Sequence, residues 1–246
     1  MHVLITGGSR GIGAAIARLA GARGWSVSVN YVSDASAAGE TVAAVKAAGG
    51  NALAIKGDAS VEADVQAMWD AAEAAFGPIT GFVNNAGVVA PASKVADMSL
   101  ERMERLFRIN ITGAFLGARE AARRMSRASG GQGGSIVNMS SIAAKLGAPG
   151  EYVDYAATKG AMDAMTIGLA KELAAEGVRV NGIRPGLILT DIHASGGEPG
   201  RAERLGVTTP MGRPGGATEV AEAAIWLLSD AASYVTGTTM EVSGGR

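Results

Sequence analysis

Tyr155 and Lys159 stand four residues apart in the stretch D-Y-A-A-T-K-G-A-M, residues 154–162. On a helix that spacing puts both side chains on one face. The plain reading is a surface pair with the lysine stem lying over the ring. The chemical reading is that the ammonium makes the phenol acidic enough to move protons. A free tyrosine titrates near about 10. One positive charge at about 4 Å, at an effective dielectric near about 20, contributes roughly 4 kcal/mol, or about three pKa units. Lys159 would then bring Tyr155 to roughly 7, provided that the lysine stays charged and its surroundings are not dry. Other chemistries are poorly served. The chain has no cysteine and only two histidines, His2 and His193, far apart. Thiolate catalysis and disulfides are excluded, no metal site is expected, and a histidine-based triad has no basis.

A second group of residues lies near the N-terminus, where the apolar run HVLIT (2–6) leads into Thr6-Gly7-Gly8-Ser9-Arg10-Gly11-Ile12-Gly13. Glycines at this spacing let a backbone turn sharply and approach a pyrophosphate, and the helix that follows offers free N–H groups and a positive dipole end. Gly7, Ser9, Arg10, Gly11, Ile12 and Gly13 are therefore candidate dinucleotide contacts. A site for NAD normally carries a carboxylate at the end of the second strand to bind the ribose 2′-hydroxyl. Here that end reads Asn30-Tyr31-Val32-Ser33, and Asp34 comes late. Arg10 can face a 2′-phosphate and Ser33 can add a hydrogen bond, so NADP(H) is preferred over NAD(H), with Asn30 and Tyr31 beside it.

These residues need a frame. Short apolar runs at 2–6, 26–31, 52–58, 80–87, 134–141, 178–186 and 238–244 read as strands. Ala-rich amphipathic stretches at 11–23, 35–49, 61–77, 99–127, 154–176 and 218–229 read as helices. Nearly continuous apolar strands alternating with helices predict an α/β fold: one doubly wound (Rossmann) domain over residues 1–246, with a seven-stranded parallel sheet covered on both faces. In such a fold ligands bind beyond the carboxyl ends of the strands. The polar residues there are Asp58 with Ala59, then Asn84-Asn85-Ala86-Gly87, Ser140-Ser141, and Pro185-Gly186 with Ile188 and Thr190. Each alone reads as a helix cap or turn residue; together they face one crevice. Asn110 sits inside the 99–127 helix beside Gly113, where both weaken a helix interior, so a local kink is expected there. The irregular stretch at about 190–215 is a candidate substrate lid. With 22 basic and 23 acidic side chains, nothing points to nucleic acid or an anionic membrane as a partner. No apolar run approaches the length of a membrane span and no leader pattern opens the chain, so a cytoplasmic location is expected.

As a set these residues resemble the short-chain dehydrogenase/reductase family. The shared motifs are T-G-x-x-x-G-x-G at Thr6–Gly13, Asp58, N-N-A-G at 84–87, Asn110, Ser141, Tyr155-x-x-x-Lys159, and Pro185-Gly186 with Thr190. Residues 150–161 and 193–201 look like members labelled glucose-dehydrogenase-like or 3-oxoacyl-acyl-carrier-protein reductase-like. The resemblance implies hydride transfer between a nicotinamide and the carbonyl or secondary alcohol of a small molecule: a ketone, a 3-oxoacyl thioester or a sugar. By similarity Tyr155 is the general acid in reduction and the base in oxidation. Ser141 hydrogen-bonds the substrate oxygen, Lys159 binds the nicotinamide ribose and acidifies Tyr155, and Asn110 holds a water that links Lys159 to solvent. Gly87, Asn85, Ala86, Pro185, Gly186, Ile188 and Thr190 complete the cofactor site. Ser141 lies 14 positions before Tyr155, one more than many members have, and the L-G-A-P-G-E-Y-V-D segment absorbs the difference. Tyr152 has Ala156 rather than lysine four residues on, and reads as a decoy. The substrate pocket is expected from loops 88–98, 142–153 and 190–215, carrying Val88, Val89, Lys145, Leu146, Glu151, Ile192, His193 and Met211. A homotetramer built on the 99–127 and 154–176 helices is expected from the resemblance. The alternative readings are a non-catalytic dinucleotide-binding redox sensor on the same fold and a sugar-nucleotide epimerase or dehydratase.

Overall fold

Short strands flanked by helices on both faces have no polar side to show, and the strands of this chain are built accordingly. In a computed structural model describing residues 1–246, β1 (His2–Ile5) and β4 (Gly81–Asn84) are buried along their whole length. With β2 (Ser26–Tyr31), β3 (Asn51–Lys56), β5 (Gly134–Met139), β6 (Val178–Pro185) and β9 (Thr239–Val242) they form one seven-stranded parallel sheet in the order β3-β2-β1-β4-β5-β6-β9. Val3 stands between Val27 of β2 and Gly81 of β4. The chain winds outward in one direction through β2 and β3, then returns and winds the other way from β4. The crevice at that reversal, beyond the carboxyl ends of β1 and β4, is where such sheets bind ligands.

Two apolar layers hold the helices on. On one face α1 (Gly11–Ala22), α2 (Ala35–Ala47) and α10 (Ala217–Leu228) pack Ile16, Val45 and Ile225 against Val3, Val27 and Val137. On the other, α3 (Glu62–Phe76), α5 (Ala114–Met125) and α7 (Val153–Leu173) bring Trp69, Met125 and Leu173 against Phe82 and Ile136. Trp69 meets Phe82 with ring centroids 5.4 Å apart. Each of these large side chains contributes about 1.5–3 kcal/mol on burial.

Three expected elements come out differently in detail. The long 99–127 helix is α4 (Leu100–Phe107), a π-helical segment Arg108–Gly113, and α5. The kink expected at Asn110 therefore takes the form of a widened turn, a device that often re-aims a side chain. The 154–176 helix is α7 followed by a 3-10 turn, Ala174–Glu176, which ends at Gly177 in the left-handed region. The irregular 193–216 stretch contains α8 (Ile192–Ser195) and α9 (Arg201–Gly206). Its base is clipped by a two-residue parallel pair, β7 (Ile188–Leu189) with β8 (Gly215–Gly216), too short to show as a pattern in sequence. No helix is long and apolar enough to cross a membrane.

Candidate active site

The glycine turn is shaped by buried amides beneath and beside it. Gly7 takes φ of +61°, open to glycine but costly for other residues. A Cβ on Gly13 would sit 2.4 Å from the Gly7 carbonyl oxygen, so the first turn of α1 reaches its place only without a side chain there. Asn30 secures the arrangement from below: its carboxamide oxygen accepts from Gly7 N–H, and its Nδ2 donates to the Gly57 carbonyl at 2.8 Å. Asn30 is 1% exposed. The expectation that it contacts a cofactor is thereby corrected: it braces the turn. Asn85 acts similarly from β4, donating from Nδ2 to the carbonyls of Thr6 and Gly7, while Thr6 Oγ1 accepts from Asn85 N–H and Ala86 N–H. Asp58 accepts on Oδ1 from both Ser60 N–H and Ser60 Oγ–H, shaping the loop in which Ala59 is buried.

Other residues of this region face outward, toward the crevice. Arg10 is the extended residue before α1, is exposed, and places no side-chain cap on the helix, so the first-turn N–H groups have no side-chain acceptor. Tyr31 is half-buried at the end of β2 and Ser33 is exposed beyond it. Asp34 accepts from Ala37 N–H at 2.9 Å and caps α2, so the nearest carboxylate is turned into its own helix. Across the crevice, a Cβ on Gly11 would lie 3.4 Å from the Thr190 methyl group, which puts the turn and Thr190 face to face. Gly186 N–H donates to the Val242 carbonyl, and the Pro185 carbonyl accepts from Ile142 N–H, fixing the rim between them.

Tyr155, Lys159 and Ser141 converge in one cleft of about 390 Å³, together with Ile12, Asn85, Gly87, Pro185, Gly186, Ile188 and Thr190. Helix α7 is held at its start by Asp154, 5% exposed, whose carboxylate accepts from Tyr155 N–H and pairs with Arg102 of α4 at 2.7 Å. Sequence reasoning passed over this pair; its signal is an acidic residue in the first turn of a helix. Ser140 Oγ donates to the Lys159 carbonyl and does not face the substrate. Ser141 is the serine that lines the cleft beside Tyr155. Asn110 is buried: its Oδ1 accepts from Val88 N–H, and its Nδ2 donates to the Val88 carbonyl and to Thr158. A Cβ on Gly87 would stand 3.5 Å from both Asn110 Oδ1 and Lys159 Nζ, so the three border one small space.

The electrostatics differ from the expectation. Burial pushes the Tyr155 phenol up to about 12, opposed by the hydrogen bond with Ser141. Burial pushes Lys159 down to about 8, opposed by the charge of Asp163 one turn further along α7. Lys159 is 4% exposed, donates from Nζ to the Met139 carbonyl at 2.7 Å, and lies 5.6 Å from the centre of the Tyr155 ring. The lysine, expected in surroundings that are not dry, is buried. Desolvation disfavours both charged forms, and the protein alone does not bring the phenol toward neutrality.

On the substrate side, Val89, Leu146, Glu151, Ile192 and His193 line the cleft as expected. Three others do not. Val88 binds Asn110 with its backbone, Lys145 pairs with Glu241 at 2.8 Å, and Met211 lines a separate cavity. Tyr152, read as a decoy, is no proton donor but forms a wall: it is buried, and the Arg201 guanidinium lies 5.0 Å over its ring.

Comparison with known proteins agrees with this geometry. A family model described as enoyl-(acyl carrier protein) reductase matches residues 7–246. The uncharacterized oxidoreductase YgfF of Escherichia coli (strain K12) is 51% identical over 243 residues, covering 99% of this chain and 98% of its own. Glucose 1-dehydrogenase 2 of Bacillus subtilis (strain 168) is 39% identical over 242 residues, covering 98% and 93%. The crystal structure of levodione reductase superposes with a TM-score of 0.92 at 34% identity, covering 99% of this chain and 96% of that one.

Proposed function

The chain belongs to the short-chain dehydrogenase/reductase family, and from that premise we propose that it works with NADP(H) in preference to NAD(H), using Tyr155, Ser141, Lys159 and Asn110 as its catalytic set. It is an oxidoreductase that transfers hydride between a nicotinamide and a carbonyl or alcohol carbon of a small molecule. The observation that carries the catalytic reading is the convergence of Ser141, Tyr155 and Lys159 in one cleft that also contains Gly186 and Thr190. When bound, the cofactor supplies the hydride and, oxidised, a positive charge beside the phenol. Tyr155 Oη holds the proton given to the substrate oxygen in reduction and takes it back in oxidation. Ser141 Oγ orients that oxygen. Lys159, its pKa near 8, carries its charge at neutral pH and favours the phenolate. Asn110 and Gly87 bound the space beside the lysine ammonium, where a water can pass the proton outward.

The preference for NADP(H) is supported by the end of β2. Arg10 and Ser33 are exposed there, and Asp34 is engaged as the α2 cap. A free carboxylate would repel a 2′-phosphate; a free arginine attracts one. The test is kcat/KM for NADPH and NADH in wild type and Arg10→Ala. The variant should raise KM for NADPH at least about tenfold more than KM for NADH; equal effects would overturn the assignment. A homotetramer is supported by exposed apolar side chains on the helices expected at its interfaces, Phe107, Phe115 and Ile167. A cytoplasmic location is in keeping with a reaction that draws on NADPH.

A further inference from the structure

The names of the relatives leave the carbonyl open between a sugar and other ketones. The substrate wall of the cleft narrows it, granted the oxidoreductase reading above. Around the Ser141 and Tyr155 hydroxyls that wall is made of Val89, Ile142, Leu146, Tyr152 and Ile192. Its charged groups are few, and all but Arg246 have a partner within the protein. Arg201, 9% exposed, gives two nitrogens to Glu151, at 2.5 and 3.3 Å, and stands 3.5 Å from Glu198. Glu198 also accepts from Tyr152 Oη–H at 3.3 Å and pairs with Arg204. His193 donates from Nε2 to the Ile188 carbonyl, and burial lowers its pKa, so the ring is neutral at pH 7. Arg246, the remaining cation on the cleft, is exposed to solvent, where its pull on an anion is screened.

A sugar substrate needs polar partners for each buried hydroxyl, and an anion needs an uncompensated cation. A wall whose arginine is matched by two carboxylates, and whose tyrosine hydroxyl and imidazole Nε2 donate within the protein, offers a sugar few free partners and an anion no uncompensated buried cation. We infer that the substrate is an uncharged, predominantly apolar ketone, or the matching secondary alcohol, held against the aliphatic wall and Tyr152, and that Arg201 braces the lid instead of receiving an anion. In reduction the C=O π bond opens, the carbon takes hydride from the reduced nicotinamide, which is oxidised, and the oxygen takes the Tyr155 proton. The brace ties α9 to the loop before α7.

The test is a panel measured with the purified protein and both nicotinamide cofactors: uncharged alicyclic ketones and diketones, a 3-oxoacyl N-acetylcysteamine thioester, an oxo acid, and an aldose in the oxidative direction. The best uncharged ketone, alicyclic or thioester, should exceed the aldose and the oxo acid in kcat/KM by at least about a hundredfold. A smaller margin, or a panel led by any other class, overturns the inference while leaving a Tyr155-dependent oxidoreductase. A panel without any Tyr155-dependent turnover overturns the catalytic reading as well. A second arm removes the neutralising charge. Glu151→Gln should improve the ratio of oxo-acid to neutral-ketone kcat/KM by at least about tenfold. An unchanged ratio, in a variant whose melting temperature is preserved, overturns the role given to the Arg201–Glu151 pair.

Discussion

At the glycine turn, side chains serve the backbone; on the facing side of the cleft, at α7, the backbone serves side chains. Asn30, Asn85 and Thr6 direct their hydrogen bonds into the chain, and what they leave free for a ligand is main-chain N–H and glycine surface. Asp154 and Ser140 bond the α7 backbone, at Tyr155 N–H and the Lys159 carbonyl, and what they leave free is a phenol. The first region binds charge through dipoles that cost little to bury, since the protein already satisfies its amides. The second holds a half-buried phenol pushed up to about 12 beside a buried ammonium pushed down to about 8. That tension is useful only where a reaction relieves it. The two regions should therefore fail differently when altered.

The largest expected effect is on the α7 side. Tyr155→Phe should lower kcat by about 10²–10⁴-fold, the usual contribution of a positioned proton donor. NADPH binding, followed by fluorescence titration, should change by no more than about threefold. Retention of more than about a tenth of the wild-type rate would rule out this donor. At the glycine turn the opposite division is expected. Gly13→Ala puts a methyl group against the Gly7 carbonyl and 2.8 Å from Asn85 Nδ2, both of them fixed. It should cost about 1–3 kcal/mol in chemical denaturation and raise KM for NADPH at least about tenfold, with kcat at saturation changed less. A variant that binds NADPH normally would show that the turn tolerates a side chain, and would remove the contrast between the regions.

The same contrast explains what could be read from sequence. The glycine spacing, the apolar strands and the Tyr155–Lys159 pair are local: each depends on neighbours a few positions away, so the sheet, its helices and the placing of that pair on one helix are legible in sequence. Asn30 was misassigned because period-2 alternation says that it lies at a strand end, not whether its amide turns toward the cleft or under the turn. Tyr152 reads only as a decoy in sequence because its part in the wall lies in a contact with Arg201 across 49 positions that no short motif encodes. The pKa values were misjudged for a different reason. A helical spacing gives the distance between two groups, but their titration depends on how much water reaches them, and burial of Lys159 against β5 is a tertiary fact.

The smallest effect expected concerns how the charge on Lys159 is kept. Asp163 lies one turn beyond it, with Oδ2 held by Arg184 of β6 at 3.0 Å and Oδ1 buried without a partner. Arg184 also reaches Glu241 of β9 at 3.3 Å, which in turn holds Lys145. The groups facing Lys159 are thus Tyr155 and Asp163 from its own helix, with Arg184 and Glu241 behind the carboxylate. Burial lowers the pKa of Lys159 to about 8, and the negative charge of Asp163 works against that fall. Asp163→Asn removes the opposing charge and leaves Arg184 less compensated, so both changes lower the pKa of Lys159 further. The lysine then loses its proton at a lower pH. If the charged form is the active one, kcat should decline with rising pH earlier in the variant than in wild type. The rates should converge at pH 6, where both lysines are charged, and differ several-fold, on the order of one pKa unit's tenfold at most, at pH 8. A variant slowed equally at every pH would mean that Asp163 only supports the structure, whereas a displaced alkaline limb ties this ion-pair chain to the charge that α7 holds beneath the phenol.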